Sequence, residues 1–156
     1  MGKVKLLLFG VLATILMAST GFAVEESFEA KLTPKDEVSS HKSNATGKAE
    51  FKLSEDGQTL IYKLYVENII DPTAAHIHLG KKGVEGDPVV ILPFGDVKKG
   101  KFSGLLSEGK ITGMDLLGKL QDKPLSALVK HIKSGNTYVN IHSYGNPKGD
   151  IRGYIK

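Results

Sequence analysis

The chain has 156 residues, no cysteine and a formal charge of +4 at pH 7. The absence of cysteine excludes disulfides, thiolate metal sites, iron–sulfur clusters and cysteine nucleophiles. Of the 21 basic side chains all but Arg152 are lysines, and they are scattered among 17 acidic ones, a balance that argues against nucleic acid as a partner.

Residues 1–5 carry Lys3 and Lys5, residues 6–17 are apolar, and residues 18–23 are small and weakly polar. This is the three-part layout of a secretory signal peptide, with Gly21-Phe22-Ala23 as a small-x-small cleavage site. The expectation is cleavage after Ala23, leaving residues 24–156 as a single exported domain, periplasmic or extracellular and free of the membrane. The apolar run is short of the ~20 residues a membrane helix needs; an uncleaved anchor reaching Val24 is the alternative. Without Lys3 and Lys5 the formal charge falls from +4 to +2. A mature chain of about 130 residues is long enough to bury a core of its own.

Residues 27–32 alternate, with Phe28, Ala30 and Leu32 on one face, and read as a half-buried strand. Residues 33–44 are polar and contain Pro34, so they form a loop, with His41 inside it. A strand over 46–53 turns inward Ala49, Phe51 and Leu53; Asp56-Gly57 marks a hairpin; and 58–66 returns with Leu60, Tyr62, Leu64 and Val66 on one face. Residues 68–73, including Asp71-Pro72, make a turn into a strand carrying His76 and His78. The glycine-rich stretch 80–87 is followed by Pro88 and an apolar strand over 89–92, not by a helix, so a phosphate cradle is not expected. Residues 101–111 read as another strand. Leu125, Leu128, Val129 and Ile132 then fall at helical spacing, with Pro124 suited to the first turn and Gly135 to the position past the end, predicting a helix over 124–134 that carries His131 on its polar side. One or two further turns lie over 114–120. Residues 137–143 and 150–156 close the chain as strands joined by a turn at 144–149.

Because side chains alternate along a strand, Ile77 and Leu79 enter the core while His76 and His78 emerge together on the other side. Two residues along a strand span ~7 Å, a gap two imidazoles close over one ion at bonds of ~2.0 Å. Val139 and Ile141 likewise place His142 on the face away from the core, and Ile151 and Ile155 do the same for Arg152. The pair His76 and His78 is therefore half of a metal site or two histidines on a solvated strand face.

Seven or eight short alternating strands with one helix predict an all-β, antiparallel Greek-key sandwich or barrel. The stretches Asp36-Glu37-Val38, Asn44-Ala45-Thr46-Gly47-Lys48-Ala49, Ala74-Ala75-His76-Ile77-His78-Leu79-Gly80, Gly135-Asn136-Thr137-Tyr138-Val139-Asn140-Ile141-His142 and Asn146-Pro147-Lys148-Gly149-Asp150-Ile151-Arg152-Gly153 resemble, in this order, the motifs of CHRD domains. These are named for the repeats of chordin and are widespread in exported microbial proteins. The resemblance spans nearly all of the mature chain. It departs after Glu37-Val38, where the family has prolines and this chain has Ser39-Ser40 and then His41, which leaves the conformation of that loop open.

A second resemblance concerns the site. A His-x-His strand, a glycine-rich loop, a later histidine and an arginine near the C-terminus are similar to the copper-site layout of copper-zinc superoxide dismutase, also a β-sandwich. It implies His76, His78 and His142 as metal ligands and Arg152 as the group that guides an anion such as superoxide. The zinc-loop ligands and the disulfide of that enzyme have no counterpart here, so any shared activity would be that of a copper-only variant. Three neutral imidazoles with an open position suit Cu(II), with Zn(II) as the alternative, and copper binds such ligands more tightly. His41 is either a fourth ligand, if its loop folds over the face, or an ordinary loop residue. Arg152 is either the anion guide or the partner of Asp150, Glu37 or another carboxylate, and Glu37 and Asp150 are candidates for orienting the rings.

Four functions are compatible with these residues: copper redox chemistry, foremost superoxide dismutation; copper or zinc binding without turnover; zinc-hydroxide hydrolysis, for which no general base stands beside the pair; and a protein-binding or adhesive sandwich without metal, as the chordin link suggests. Oligomeric state is not legible in these patterns.

Overall fold

The computed structural model describes residues 26–39 and 41–156, so the leader expected over 1–23 lies outside the described residues. In chain order the strands are β1 (Ser27–Leu32), β2 (Thr46–Leu53), β3 (Leu60–Ile70), β4 (Pro72–Leu79), β5 (Pro88–Ile91), β6 (Lys101–Ile111), β7 (Thr137–Ser143) and β8 (Ile151–Tyr154), with α1 (Leu125–Lys133) between β6 and β7. They build two four-stranded sheets, ordered β1-β2-β3-β6 and β5-β4-β7-β8, with every pairing antiparallel. The fold is the all-β sandwich with one short helix that the alternation predicts. The 114–120 stretch forms two short 3-10 turns, Gly113–Asp115 and Gly118–Leu120.

The inward residues of both sheets meet in one core. Leu60, Leu64, Ile69, Ile77, Val139 and Ile151 are completely buried, and α1 adds Leu125, Leu128, Val129 and Ile132 from its apolar stripe. The turn expected over 68–73 is tighter than its composition suggests. β3 runs on to Ile70 through a bulge after Val66, and only Asp71 separates it from β4. Asn68 and Asp71 take positive φ angles of 57° and 46°, which their residue types tolerate. Polar partners hold the corner: Asn68 N–H donates to Ser103 Oγ at 2.9 Å, and Gly100 N–H to the Asp71 carboxylate at 2.6 Å. The chain thus passes from one sheet to the other in one residue, which brings the histidine strand directly behind β3.

One side of the sandwich is sealed by the chain ends. β1 exchanges hydrogen bonds with the last strand: Thr33 N–H to Arg152 O at 2.9 Å, Arg152 N–H to Thr33 O at 3.2 Å, and the pair between Glu29 and Lys156 at 2.9 and 3.0 Å. The approach is close enough that a Cβ on Gly153 would lie 2.3 Å from Lys31 O. This seam carries residues 33–39 and 41–45 onto the outer face of the second sheet, while residues 80–87 fold over the same face from the other end of β4. In consequence β7 is buried on both faces. Tyr138, Asn140 and Arg152 point away from the core, as their parity requires, but they are only 1–2% exposed. A third layer, made of loops, covers that face around Tyr138, Asn140 and Arg152, while His76 and His142 on the same side stay half-buried.

The seam gives a direct test. Gly153→Ala should lower stability by about 1–3 kcal/mol, the usual cost of forcing a methyl into a filled space, read as a lower urea midpoint with unchanged slope.

Candidate metal centre

The covered face of the second sheet gathers three of the five histidines. Register pairs His76 with Asn140, His78 with Tyr138 and Ala74 with His142. His142 therefore stands diagonal to His76, within reach of a large ring across a sheet, and faces alanine, which leaves space for the ring to lean. The ring centroids of His76 lie 5.1 Å from His142 and 5.5 Å from His78, and those of His78 and His142 are 6.2 Å apart. One nitrogen from each ring falls within 4.8 Å of the other two.

Hydrogen bonds decide which nitrogens are available. His78 Nδ1–H donates to Gly86 O at 2.8 Å and His142 Nδ1–H donates to Pro147 O at 3.0 Å. Each ring is thereby held in the tautomer whose Nε2 carries a lone pair. His78 Nε2 is buried and has no hydrogen-bond partner among the described residues. His142 Nε2 lies 3.2 Å from His76 Nδ1, which donates its hydrogen to that lone pair in the metal-free protein. Shifting this hydrogen to His76 Nε2 frees a third lone pair at the same point. A separation of 3.2 Å is close to the edge of a tetrahedron drawn around an ion with bonds of ~2.0 Å, so this pair has the spacing a small divalent ion needs, with a nitrogen of His78 within 4.8 Å of both.

Burial favours the neutral rings such an ion needs. It lowers His76 to about 4, assisted by repulsion from His142 and His78. It also lowers His78, although the bond to Gly86 O opposes this, and His142, where the bond to Pro147 O opposes it and Arg152 adds to it.

Arg152 has a different place from the one the dismutase layout implies. Its guanidinium is 2% exposed: Nη2 lies 3.1 Å from the equally buried Glu37 carboxylate, Nη1 donates to Val84 O at 3.3 Å, and the group stacks 4.1 Å over the Tyr138 ring. Glu37 also accepts from Asn140 Nδ2. Burial raises the Glu37 carboxyl against the opposing pull of Arg152, Asn140 and His41. Of the partners weighed for Arg152, Glu37 is the one it has.

His41 is not brought to the cluster. Its loop does fold over the sheet, but Nδ1 reaches Ser39 O at 3.0 Å and Nε2 reaches Asp150 O at 2.9 Å, with the Asp150 carboxylate at 3.7 Å. Two carbonyls facing the two ring nitrogens favour the doubly protonated ring. Burial pulls its pKa down, but these bonds and the charges of Asp150 and Glu37 prevail and raise it. Both nitrogens are committed, so His41 does not serve as a fourth ligand in this arrangement. Glu37 and Asp150 also do not orient the rings; His76 is held by its contact with His142, and the backbone carbonyls of Gly86 and Pro147 hold His78 and His142. Sequence reasoning missed these two positions because a carbonyl leaves no residue-type signal. His131 lies on α1, away from the cluster.

The CHRD domain model matches residues 28–155 of the chain. No curated protein and no solved structure matches it. Among the described residues no helix is long and apolar enough to cross a membrane.

Two outcomes follow from these charges. Removing one partner of a buried ion pair strands the other, so Glu37→Ala should cost about 3–5 kcal/mol in urea unfolding. For pH, the unfolded chain protonates its histidines below 6.5 while folded His76 stays neutral to about 4. The metal-free protein should therefore lose stability as pH falls from 6.5 towards 4, and His76→Gln should flatten the slope of unfolding midpoint against pH in that window.

Proposed function

The chain belongs to the CHRD domain family, and we propose that this member binds a single copper ion through His76 Nδ1, His78 Nε2 and His142 Nε2, in a compartment outside the cytosol. The observation that carries the reading is the buried, unpartnered Nε2 of His78, whose ring is locked by Gly86 O and aimed at the meeting point of two further imidazole nitrogens. A ligand set of imidazoles favours Cu(II) over Zn(II) among available divalent ions. With no cysteine in the chain, a type 2 centre is the form that remains. The leader-like residues 1–23 support export, where copper is more accessible than in the cytosol.

Superoxide dismutation is the second reading, and the half-buried state of His76 and His142 favours it. Three ligands on a partly open face leave a position at which a small anion can be exchanged. Bound copper would supply the one-electron cycle that oxidises one superoxide to dioxygen and reduces a second, with two protons, to hydrogen peroxide. The chain's own contribution is to keep three imidazoles neutral and to limit access to one side. Arg152, neutralised by Glu37, contributes through its field on the rings rather than by contact.

Addition of one equivalent of Cu(II) to the metal-free protein should give an axial EPR spectrum with nitrogen splittings, absent in the His76→Ala/His78→Ala variant. Catalysed superoxide decay in the loaded protein, abolished in the same variant, would support the redox reading. Tight copper without catalysis would leave a metal-binding module, and preference for Zn(II) at equal concentration would overturn copper as the resident ion.

A further inference from the structure

The loop between β4 and β5 is a strap laid over the outer face of the second sheet, and side chains rising from that face hold it at three points. Gly83 N–H donates to the Tyr154 hydroxyl at 3.1 Å, Arg152 donates to Val84 O at 3.3 Å, and Gly86 N–H donates to the Tyr138 hydroxyl at 3.0 Å. The strap leaves no room at its ends. A Cβ on Gly80 would lie 2.9 Å from the Tyr138 ring, and one on Gly86 would lie 1.4 Å from Leu79 O.

Tyr138 meets the metal centre twice. Its ring lies under His78 in a nearly parallel stack, with centroids 5.0 Å apart and planes 9° from each other. Its hydroxyl also fixes Gly86, the residue whose carbonyl accepts His78 Nδ1–H at 2.8 Å. The far side of this assembly is equally determined, because Arg152 stacks on the same Tyr138 ring and is itself held by Glu37. A chain of contacts thus runs from the buried ion pair, through one aromatic ring, to one proposed ligand. His76 and His142 have no comparable platform.

We propose that Tyr138 is the positioning residue of the metal centre: its ring sets the plane of His78, and its hydroxyl anchors the carbonyl that keeps the His78 hydrogen on Nδ1 and the lone pair of Nε2 aimed at the ion. The inference rests on the metal-binding reading above for its purpose, but the positioning itself is present in the metal-free protein and can be measured there. Outer partners of this kind change metal affinity by roughly 10–100-fold when removed, without touching the ion.

Two variants separate the two contacts. Tyr138→Leu removes the stack and the hydroxyl, while Tyr138→Phe keeps the ring and removes the hydroxyl alone. Long-range nitrogen–proton NMR spectra of the histidine rings in metal-free protein read the tautomer of His78, and the exchange rate of its Nδ1–H reads the hold of Gly86. In the wild type the hydrogen should sit on Nδ1 and exchange slowly. Tyr138→Phe should speed this exchange with the tautomer retained, and Tyr138→Leu should give a mixture of tautomers. Copper titration should show Tyr138→Leu weaker by roughly 10–100-fold, with changed EPR nitrogen splittings, and Tyr138→Phe close to wild type. If Tyr138→Leu does not fold, the exchange rate in Tyr138→Phe decides alone. Unchanged exchange in Tyr138→Phe, or a folded Tyr138→Leu with the wild-type tautomer, overturns the proposal. If the wild type takes up no copper while the His78 ring responds to both variants, the metal reading fails and the positioning role stands.

Discussion

A buried ion pair joins the outer layer of this protein to its second sheet. Glu37 comes from the loop after β1 and Arg152 from β8, their side chains each only 2% exposed, and the side-chain amide of Asn140 donates to the same carboxylate. Two charges taken out of water carry a desolvation penalty that their attraction offsets only in good geometry with the remaining hydrogen-bonding groups satisfied. The pair therefore has a demanding position. Its backbone neighbours show how that position is reached, since the Thr33–Arg152 hydrogen bonds bring the two chain segments into register.

From that pair the arrangement of the candidate centre follows in steps. With residues 33–39, 41–45 and 80–87 laid over β7 and β8, the face that would otherwise meet water becomes a low-dielectric layer. Imidazoles placed there lose affinity for protons, which is the condition for binding a cation through neutral nitrogen. One of these loops also supplies Gly86 O, which orients His78, while Pro147 O, from the turn between β7 and β8, orients His142. In the 80–87 loop cover and orientation have one origin, because the segment that shields the face also carries the carbonyl that holds His78.

The loop cover also alters what Arg152 can do. In the site layout of copper-zinc superoxide dismutase an arginine beside the metal attracts an anion, and the order of motifs in this chain suggested the same part for Arg152. The guanidinium is instead occupied by Glu37, Val84 O and the Tyr138 ring. Its planar fork serves a carboxylate and an aromatic face at once, a combination lysine does not match, which accounts for one arginine in a chain that otherwise uses lysine.

Much of this molecule is readable without coordinates. Period-two alternation places β1, β2 and β7 at their observed bounds, helical spacing finds α1, and parity puts His76, His78, His142 and Arg152 on one side of their sheet. Those signals are local: each depends on which way a side chain leaves a strand or helix, and neighbours in sequence determine that. What covers a face is not local. Whether His41 reaches the cluster or Asp150, whether Arg152 meets an anion or Glu37, and whether the outward face is wet or buried depend on contacts between segments up to 109 residues apart in sequence. Backbone carbonyls at Gly86 and Pro147 orient the rings, and a carbonyl is common to every residue. The sequence by itself determined the strands, their inward faces and the side of the sheet from which His76, His78 and His142 rise; only the tertiary structure decided their cover, their hydrogen-bond partners and the partner of each charge.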